Sequence, residues 1–161
     1  MHAYRMNRLL SSGVALLALV VVTPAGAEAQ RNAHIGVHAG YNTDVEDAVL
    51  GGQLTVPLVE RLEFYPSLDI YFPDEGTRLG FNGDLKYGVP LGGTSWFYFG
   101  GGLNVLYRDV ADASDSDLGV NLIGGLEGRG GTVHPFGELR VMLHDNTLLQ
   151  LAGGVNITLG R

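Results

Sequence analysis

The sequence has no cysteine among its 161 residues, which excludes disulfide bonds, a thiol nucleophile and a cysteine-based metal site. Basic residues are also scarce. From residue 30 onward there are eight Lys or Arg and 16 Asp or Glu, a net charge of −8 with His neutral, which argues against nucleic acid as a partner. In the same region the i, i+3, i+4 apolar spacing of a helix is absent and glycine is dense. We therefore expect an all-β protein, and no motif predicts a cofactor.

The first 29 residues have the layout of a secretory signal peptide. Two arginines precede an apolar run at residues 13–22, and small residues follow it. The run is shorter than the roughly 20 residues that a spanning helix needs, although an uncleaved anchor helix is the alternative. Cleavage is predicted after Ala27 or after Ala29. The remaining segment, residues 30–161, is long enough for one domain.

In this segment, eight consecutive stretches of about ten residues carry an apolar side chain at every second position. Ile35, Val37 and Ala39 begin the series, and glycine-rich or acidic breaks separate one stretch from the next. Period two is the spacing of a β-strand with two unlike faces. A sheet that keeps two unlike faces throughout is best closed, so the pattern predicts an eight-stranded antiparallel up-and-down β-barrel.

Alternation alone does not decide whether the apolar face points inward, as in a soluble barrel, or outward to lipid. The stretches exceed the ~5 to 6 residues of most soluble strands and match the ~9 to 11 of a membrane-crossing strand. If the first strand leaves the periplasm, the aromatic residues of the apolar face form two girdles at its ends. The predicted girdle residues are Tyr41, Phe72, Phe81 and Tyr107 at the outer end and Phe64, Tyr87, Phe97 and Phe99 at the inner end. We therefore expect a transmembrane barrel.

The opposite face would line a narrow lumen that side chains fill. Its charged residues must be paired, because an unpaired buried charge is costly. The predicted lumenal charge network is Glu63, Asp69, Asp84, Lys86, Glu127, Glu138 and Arg140, and its central cluster is predicted to be Glu63, Glu138 and Arg140. Lumenal glycines would make room for these groups: Gly36, Gly51, Gly80, Gly100, Gly102, Gly119 and Gly125. A proton or ion path along the same residues is the alternative.

The lumenal histidines and the acidic loops suggest two metal-site hypotheses. His34, His38 and His134 face the lumen and would suit zinc if they met, although hydrogen-bonded histidines are the simpler interpretation. Four predicted outer loops, at residues 43–47, 73–77, 109–117 and 144–147, hold ten acidic residues and no Lys or Arg. They predict a negative outer rim that attracts cations. Within them Asp109, Asp112, Asp115 and Asp117 are candidate divalent-cation ligands, although they lack the spacing of a calcium loop.

The stretches HIGVHAGYN at 34–42 and LEFYPSLDIYF at 62–72, together with the export signal, resemble the small eight-stranded outer-membrane barrels, the group of the OmpA transmembrane domain and OmpX. The resemblance implies a place in the outer membrane of a diderm bacterium. It also implies contact with outer-membrane lipid and lipopolysaccharide, and with the barrel-insertion machinery during biogenesis. Such barrels usually end on an aromatic residue, whereas this chain ends on Arg161. Pro66 and Pro135 fall within predicted strands, so we expect a bulge or a missing bond at each.

Catalytic residues do not assemble in the sequence. A nucleophile, a base and an orienting group must lie within reach of one another, and the stretch HPFGE at 134–138 has a histidine without a serine. We therefore predict a non-enzymatic outer-membrane protein with a structural or surface-exposed role and a lumen closed by its polar network. The alternative is a narrow porin-like channel for ions or small solutes.

Overall fold

The computed structural model describes residues 32–110 and 113–160, so the predicted signal peptide lies outside the described residues. Eight strands follow one another: β1 (His34–Asn42), β2 (Asp47–Val59), β3 (Leu62–Phe72), β4 (Thr77–Gly92), β5 (Ser95–Val110), β6 (Ala113–Gly128), β7 (Val133–Leu143) and β8 (Thr147–Thr158). Among the described residues, no helix is long and apolar enough to cross a membrane.

Each strand pairs antiparallel with the next, and β8 returns to pair with β1. The closing ladder runs from His34 opposite Thr158 to Asn42 opposite Gln150. The predicted all-β, eight-stranded antiparallel up-and-down barrel is therefore confirmed. Closure leaves no unpaired sheet edge at β1 and β8, so the backbone polar groups of these two strands are paired within the wall.

The β5–β6 hairpin is longer than the sequence suggested. Residues 109–117 were expected to form an acidic loop, but cross-strand pairing continues to Val110 opposite Ala113. The prediction of a loop over this whole range was wrong, because ladder hydrogen bonds do not require apolar side chains. The acidic strand also has a basic neighbour: Arg108 forms an ion pair with Asp117 at 3.3 Å, a favourable cross-strand contact.

The two prolines that the sequence placed within strands, Pro66 and Pro135, interrupt pairing on one side and cause no bulge. The β2–β3 ladder has no pair at Pro66, and the β6–β7 ladder ends at Phe136, one residue beyond Pro135. On their other sides both prolines remain in register. The register shifts of the barrel occur instead at Pro57 and Pro90, near the ends of β2 and β4.

The two faces of the wall differ as the alternation predicted. Large apolar side chains are exposed along every strand, for example Val37 at 59% and Leu118 at 71%. Seven of the eight predicted girdle residues are among the exposed large apolar side chains, and Tyr107 is half-buried. Most of the buried side chains are polar or charged. The barrel therefore has an apolar outside and a largely polar inside.

Candidate functional site

The barrel interior holds every charge that the sequence assigned to it. Glu63, Asp69, Asp84, Lys86, Glu127, Glu138 and Arg140 are all buried. They do not form one cluster, however, because neighbouring strands place them at different heights. Separate groups follow one another from the end that carries the short turns to the end that carries the acidic loops.

An inner cluster of Glu63, Lys86, Glu127 and Arg129 occupies the short-turn end. The Lys86 ammonium lies 3.5 Å from Glu63 Oε2 and 3.7 Å from Glu127 Oε2. Arg129 Nη2 donates to the same two oxygens at 2.8 Å each. Two cations thus neutralise two carboxylates, which is what their burial requires.

Aromatic rings surround the cations of the inner cluster. Lys86 Nζ lies 4.6 Å from the ring centroid of Tyr65 and 4.7 Å from that of Tyr98. The guanidinium of Arg129 stacks over Trp96 at 4.8 Å. Cation–π contacts of this kind stabilise the buried cations in addition to the ion pairs. Sequence reasoning missed Arg129, since it lies in a turn outside the alternating pattern.

A central cluster is built around Arg140, whose exposure is 2%. Its Nη1 lies 3.1 Å from Asp84 Oδ2, and its Nη2 lies 3.1 Å from Glu138 Oε1. Tyr98 donates its hydroxyl to Glu138 Oε2 at 3.0 Å. The expectation that Glu63 belongs to this cluster was wrong. Glu63 is the second residue of β3, beside the short turn, and its ion-pair partners are Lys86 and Arg129.

His38 and Asp69 form a third buried group. His38 Nε2 lies 2.9 Å from Asp69 Oδ1, and its Nδ1 lies 2.6 Å from Gln53 Oε1. Gly51 lies between their strands, where an added Cβ would stand 2.5 Å from Asp69 Oδ1 and would collide with the His38 ring. A glycine is therefore required at this position to admit the imidazole.

A hydrogen-bonded chain of amides connects these groups to the acidic-loop end. Asp69 Oδ2 accepts from Asn82 Nδ2 at 3.2 Å. Asn82 Oδ1 accepts from Asn104 Nδ2 at 2.7 Å, and Asn104 Oδ1 lies 2.7 Å from His144 Nε2. We call this series, Asp69–Asn82–Asn104–His144, the amide chain. The alternation places both asparagines on the lumenal face, but nothing in the sequence indicates that they bond to each other.

The amide chain continues toward the inner cluster through His38. Gln53 Nε2 donates to Asn156 Oδ1 at 2.9 Å, and Asn156 Nδ2 donates to Glu127 Oε1 at 3.0 Å. Polar contacts therefore run from the inner cluster to the acidic loops.

The interior is not polar throughout, contrary to the expectation from the sequence. Five buried residues form an apolar cluster near the acidic loops: Val49, Tyr71, Leu106, Met142 and Leu148. Each occupies a lumenal position of its strand, where the alternation led us to expect a polar or small residue. We call this group the apolar band.

The three lumenal histidines do not converge. The rings of His34 and His134 lie 4.7 Å apart, and His134 Nε2 lies 3.0 Å from the Gly131 carbonyl oxygen. His38 instead contacts Gln53 and Asp69. In residues 32–110 and 113–160, no group of three or more His, Asp or Glu is placed to hold a metal ion. Of the acidic candidates, Asp109, Asp115 and Asp117 lie in strands, and Asp112 lies outside the described residues.

A cup of about 460 Å³ opens above the apolar band, at the acidic-loop end. Its floor includes Val45 and Leu148, and charged or polar side chains form its walls. We call it the outer cup, and its wall residues are Asp44, Arg78, Arg108, Asp115, Asp117, His144, Asp145, Asn146 and Thr147. The expected negative rim is therefore mixed, because two strand arginines reach it.

Two ion pairs hold the arginines of the outer cup. Arg78 Nη1 contacts Asp47 Oδ2, and Arg108 Nη1 lies 3.3 Å from Asp117 Oδ2. Burial lowers the pKa of His144 below its ordinary value, which keeps the imidazole neutral near pH 7.

No family model and no curated protein matches this chain. Solved structures do match its fold. The N-terminal β-barrel domain of Pseudomonas aeruginosa OprF is 15% identical with a TM-score of 0.70, over 82% of this chain and 100% of that one. Ail, the attachment invasion locus protein of Yersinia pestis, is 10% identical with a TM-score of 0.57, over 80% and 97%. The outer membrane enzyme PagL is 11% identical with a TM-score of 0.54, over 78% and 99%. The chain therefore has the fold of the small eight-stranded outer-membrane β-barrels.

Proposed function

We propose that this chain is an integral outer-membrane β-barrel with a structural or surface-exposed role and no catalytic activity. The observation that carries the proposal is the inverted distribution of polarity: a closed barrel with apolar side chains exposed on every strand and ion pairs inside. A soluble barrel would bury the apolar face instead. Outer-membrane lipid and lipopolysaccharide are then its partners along the wall, and the insertion machinery is its partner during biogenesis. The predicted signal peptide would direct its export.

The lumen is proposed to be closed. Lys86, Arg129 and Arg140 are each held by two carboxylates, and the apolar band lies above them. An ion that crossed would have to break these pairs and then pass a layer that offers it little solvation.

A non-catalytic role is supported by the contacts of the imidazoles. In the described part of the chain, the hydrogen bonds of the histidine rings go to Gln53, Asp69, Asn104 and the Gly131 carbonyl oxygen, and none goes to a serine. An activated hydroxyl nucleophile needs such a contact. PagL shows that the fold itself is compatible with an enzyme, so this argument depends on the residues and not on the fold.

A narrow channel is the second candidate. The continuous polar contacts between Glu127 and His144 favour it, since they provide a hydrophilic route along much of the lumen. The apolar band argues against it. Divalent cations at the acidic loops are proposed as additional surface partners in either case.

Membrane extraction followed by conductance measurement tests both parts of the proposal. We expect the protein to remain in the membrane pellet after salt and carbonate washes, and the purified barrel to give no steady current in a planar bilayer. An open porin added to the same bilayer is the control. Release by carbonate would contradict membrane insertion, whereas a steady current would contradict only the closed lumen.

A further inference from the structure

The strands of the barrel differ in length, and β6 extends past its neighbour β7 at the acidic-loop end. β6 has 16 residues and β7 has 11. The ladder between them begins at Val120 opposite Leu143, whereas the ladder between β5 and β6 continues to Ala113. Within the described residues, β6 therefore has a neighbouring strand on one side only before Val120. We call residues 114–118 of this segment the free edge.

The register of the β5–β6 ladder determines which backbone groups of the free edge are open. Arg129 N donates to the Thr94 carbonyl oxygen, and the ladder continues from there to Ala113 without a register shift. Successive residues of an antiparallel strand bond alternately to the neighbours on their two sides, so the odd-numbered residues of β6 bond to β5. The even-numbered residues direct their N–H and C=O groups to the side on which β7 has ended.

The open backbone groups belong to Ser114, Ser116 and Leu118. Ser114 and Ser116 are exposed, and Leu118 is 71% exposed, so this side of the strand is accessible. The Ser116 N–H donates to Asp115 Oδ1 at 2.9 Å. The N–H groups of Ser114 and Leu118 and the carbonyls of all three residues are left for another strand.

A comparable overhang at the short-turn end is protected against strand addition. There β4 continues past its last pair with β3, Tyr87 opposite Leu62, but this overhang contains Pro90 and a register shift between Pro90 and Gly92. Proline and bulges are two ways in which proteins block pairing at an exposed edge. The free edge of β6 has no proline and no register shift. It is therefore open to pairing.

The charge beside the free edge selects the partner. Asp117 is paired with Arg108 at 3.3 Å. Asp115 and Asp145 are exposed and line the same outer cup, and among the described residues neither has a basic group within 4.0 Å. Two copies of this edge would repel each other, whereas a basic strand would be attracted.

We propose that the free edge of β6 binds an extended cationic polypeptide segment, which adds to the wall as a further strand beyond the end of β7. Backbone bonds to Ser114, Ser116 and Leu118 provide the affinity, as in other cases of strand addition. Side chains of paired strands share a face with their cross-strand neighbours. Every second residue of the segment therefore lies beside Asp115 and Asp145 and is lysine or arginine, and the residues between them lie beside Leu118 and are apolar or small.

This inference rests on the proposed function only for its access, since the free edge then faces the cell exterior. Binding to the barrel folded in detergent micelles is measured without reference to location or conductance. Failure of binding and failure of the proposed function are therefore separate results.

Peptide titration in an uncharged detergent tests the proposal. The probes are a peptide of alternating lysine and valine, the same peptide with glutamate in place of lysine, and the lysine peptide with N-methylated amides, which cannot donate. We expect saturable binding of the first and about tenfold or more weaker binding of the other two, which lose the charge attraction and the backbone bonds respectively. Absence of binding by the lysine peptide would overturn the proposal. Equal binding of the N-methylated peptide would reduce the edge to a charged patch and would also contradict strand addition.

Hydrogen exchange locates the contact. With the lysine peptide bound, the amides of Ser114 and Leu118 should exchange more slowly, because they become bonded across a ladder. The loop at residues 73–76 is the internal control and should not change. Binding without protection of Ser114 and Leu118 would place the peptide elsewhere and overturn the assignment. A dimer that forms through this edge without peptide would show that a second copy occupies it, with the same consequence.

Two pairs of variants separate the backbone from the charge. Leu118→Pro removes an open N–H without removing a bond to β5 and should weaken binding severalfold, whereas the matched Leu118→Ala keeps that N–H. Asp115→Asn should also weaken binding severalfold, and its control is Asp74→Asn, an exposed loop residue at the same end of the barrel. Equal losses within either pair would contradict the role assigned to that group. Circular dichroism verifies folding, and the peptide series decides the question on the unchanged protein if Leu118→Pro does not fold.

Discussion

At the scale of single residues, the alternation predicts the face of a side chain but not its neighbours. Successive side chains of a strand point to opposite faces, so Glu63, Asp84 and Arg140 could be assigned to the lumen from the sequence. Their partners depend on how far each strand is shifted relative to the next, which no single strand encodes. Glu63 was therefore placed with the wrong cluster. The amides of the lumen were missed for a related reason, because asparagine on a polar face has no diagnostic spacing.

Arg140 is predicted to stabilise the folded barrel through its two buried ion pairs. Arg140→Ala leaves Asp84 and Glu138 buried with one cationic partner fewer, and removing one member of a buried ion pair typically costs about 3–5 kcal/mol. We expect the urea unfolding midpoint in detergent to fall clearly. The matched control is Arg108→Ala, since Arg108 also pairs with an aspartate but is 39% exposed, where a pair contributes only about 0–1 kcal/mol. If both variants unfold at the same denaturant concentration, Arg140 does not stabilise the lumen as described.

At the scale of elements, the strand count and the topology followed from the sequence, whereas the strand ends did not. The stretches of alternation corresponded to eight strands, because period two is a direct consequence of the pleat. The β5–β6 hairpin extended beyond its apolar part, since its acidic strand pairs with a strand that carries Arg108. In the apolar band the sequence misjudged the lumen instead: Leu106 and Met142 are apolar, yet they occupy lumenal positions where polar or small side chains were expected.

Backbone hydrogen exchange can test the length of this hairpin. If pairing continues to Val110 and Ala113, amides at alternate positions in residues 105–109 and 114–118 should exchange slowly, because each is bonded across the ladder. The loop at residues 73–76, which has no ladder, is the internal control and should exchange rapidly. Rapid exchange throughout 109–117 would show that this segment is the loop that the sequence first suggested.

At the scale of the whole molecule, the amide chain connects the barrel interior to its outer opening. Asp69 lies in the lumen, and His144 lies in the outer cup, two amides away. Two carboxylates set the direction of the bonds between them, because neither can donate when ionised. Asp69 accepts from Asn82 Nδ2, and Asp84 accepts from Asn121, whose Nδ2 also donates to Asn82 Oδ1. Asn104 therefore presents Oδ1 to His144 Nε2, which carries the ring proton. A change that frees Asn82 from both anchors should reach the cup without moving the backbone.

The variant Asp69→Asn tests this coupling in an Asn121→Ala background, where no donor held by Asp84 still fixes Asn82. An amide at position 69 can either donate or accept, so Asn82 and Asn104 are free to reverse, and His144 loses its fixed tautomer. We expect ring ¹⁵N shifts of His144 to report protonated Nε2 and bare Nδ1 in the Asn121→Ala background and a mixture of tautomers once Asp69→Asn is added. Glu138→Gln in the same background is the control, because Glu138 is buried in the lumen but bonds to Tyr98 and Arg140 and not to the amide chain. An unaltered His144 tautomer in Asp69→Asn, or the same change in Glu138→Gln, would show that the cup is independent of the chain. A shift confined to Asp69→Asn would mean that the residues that fill the lumen also determine the chemistry of the outer opening.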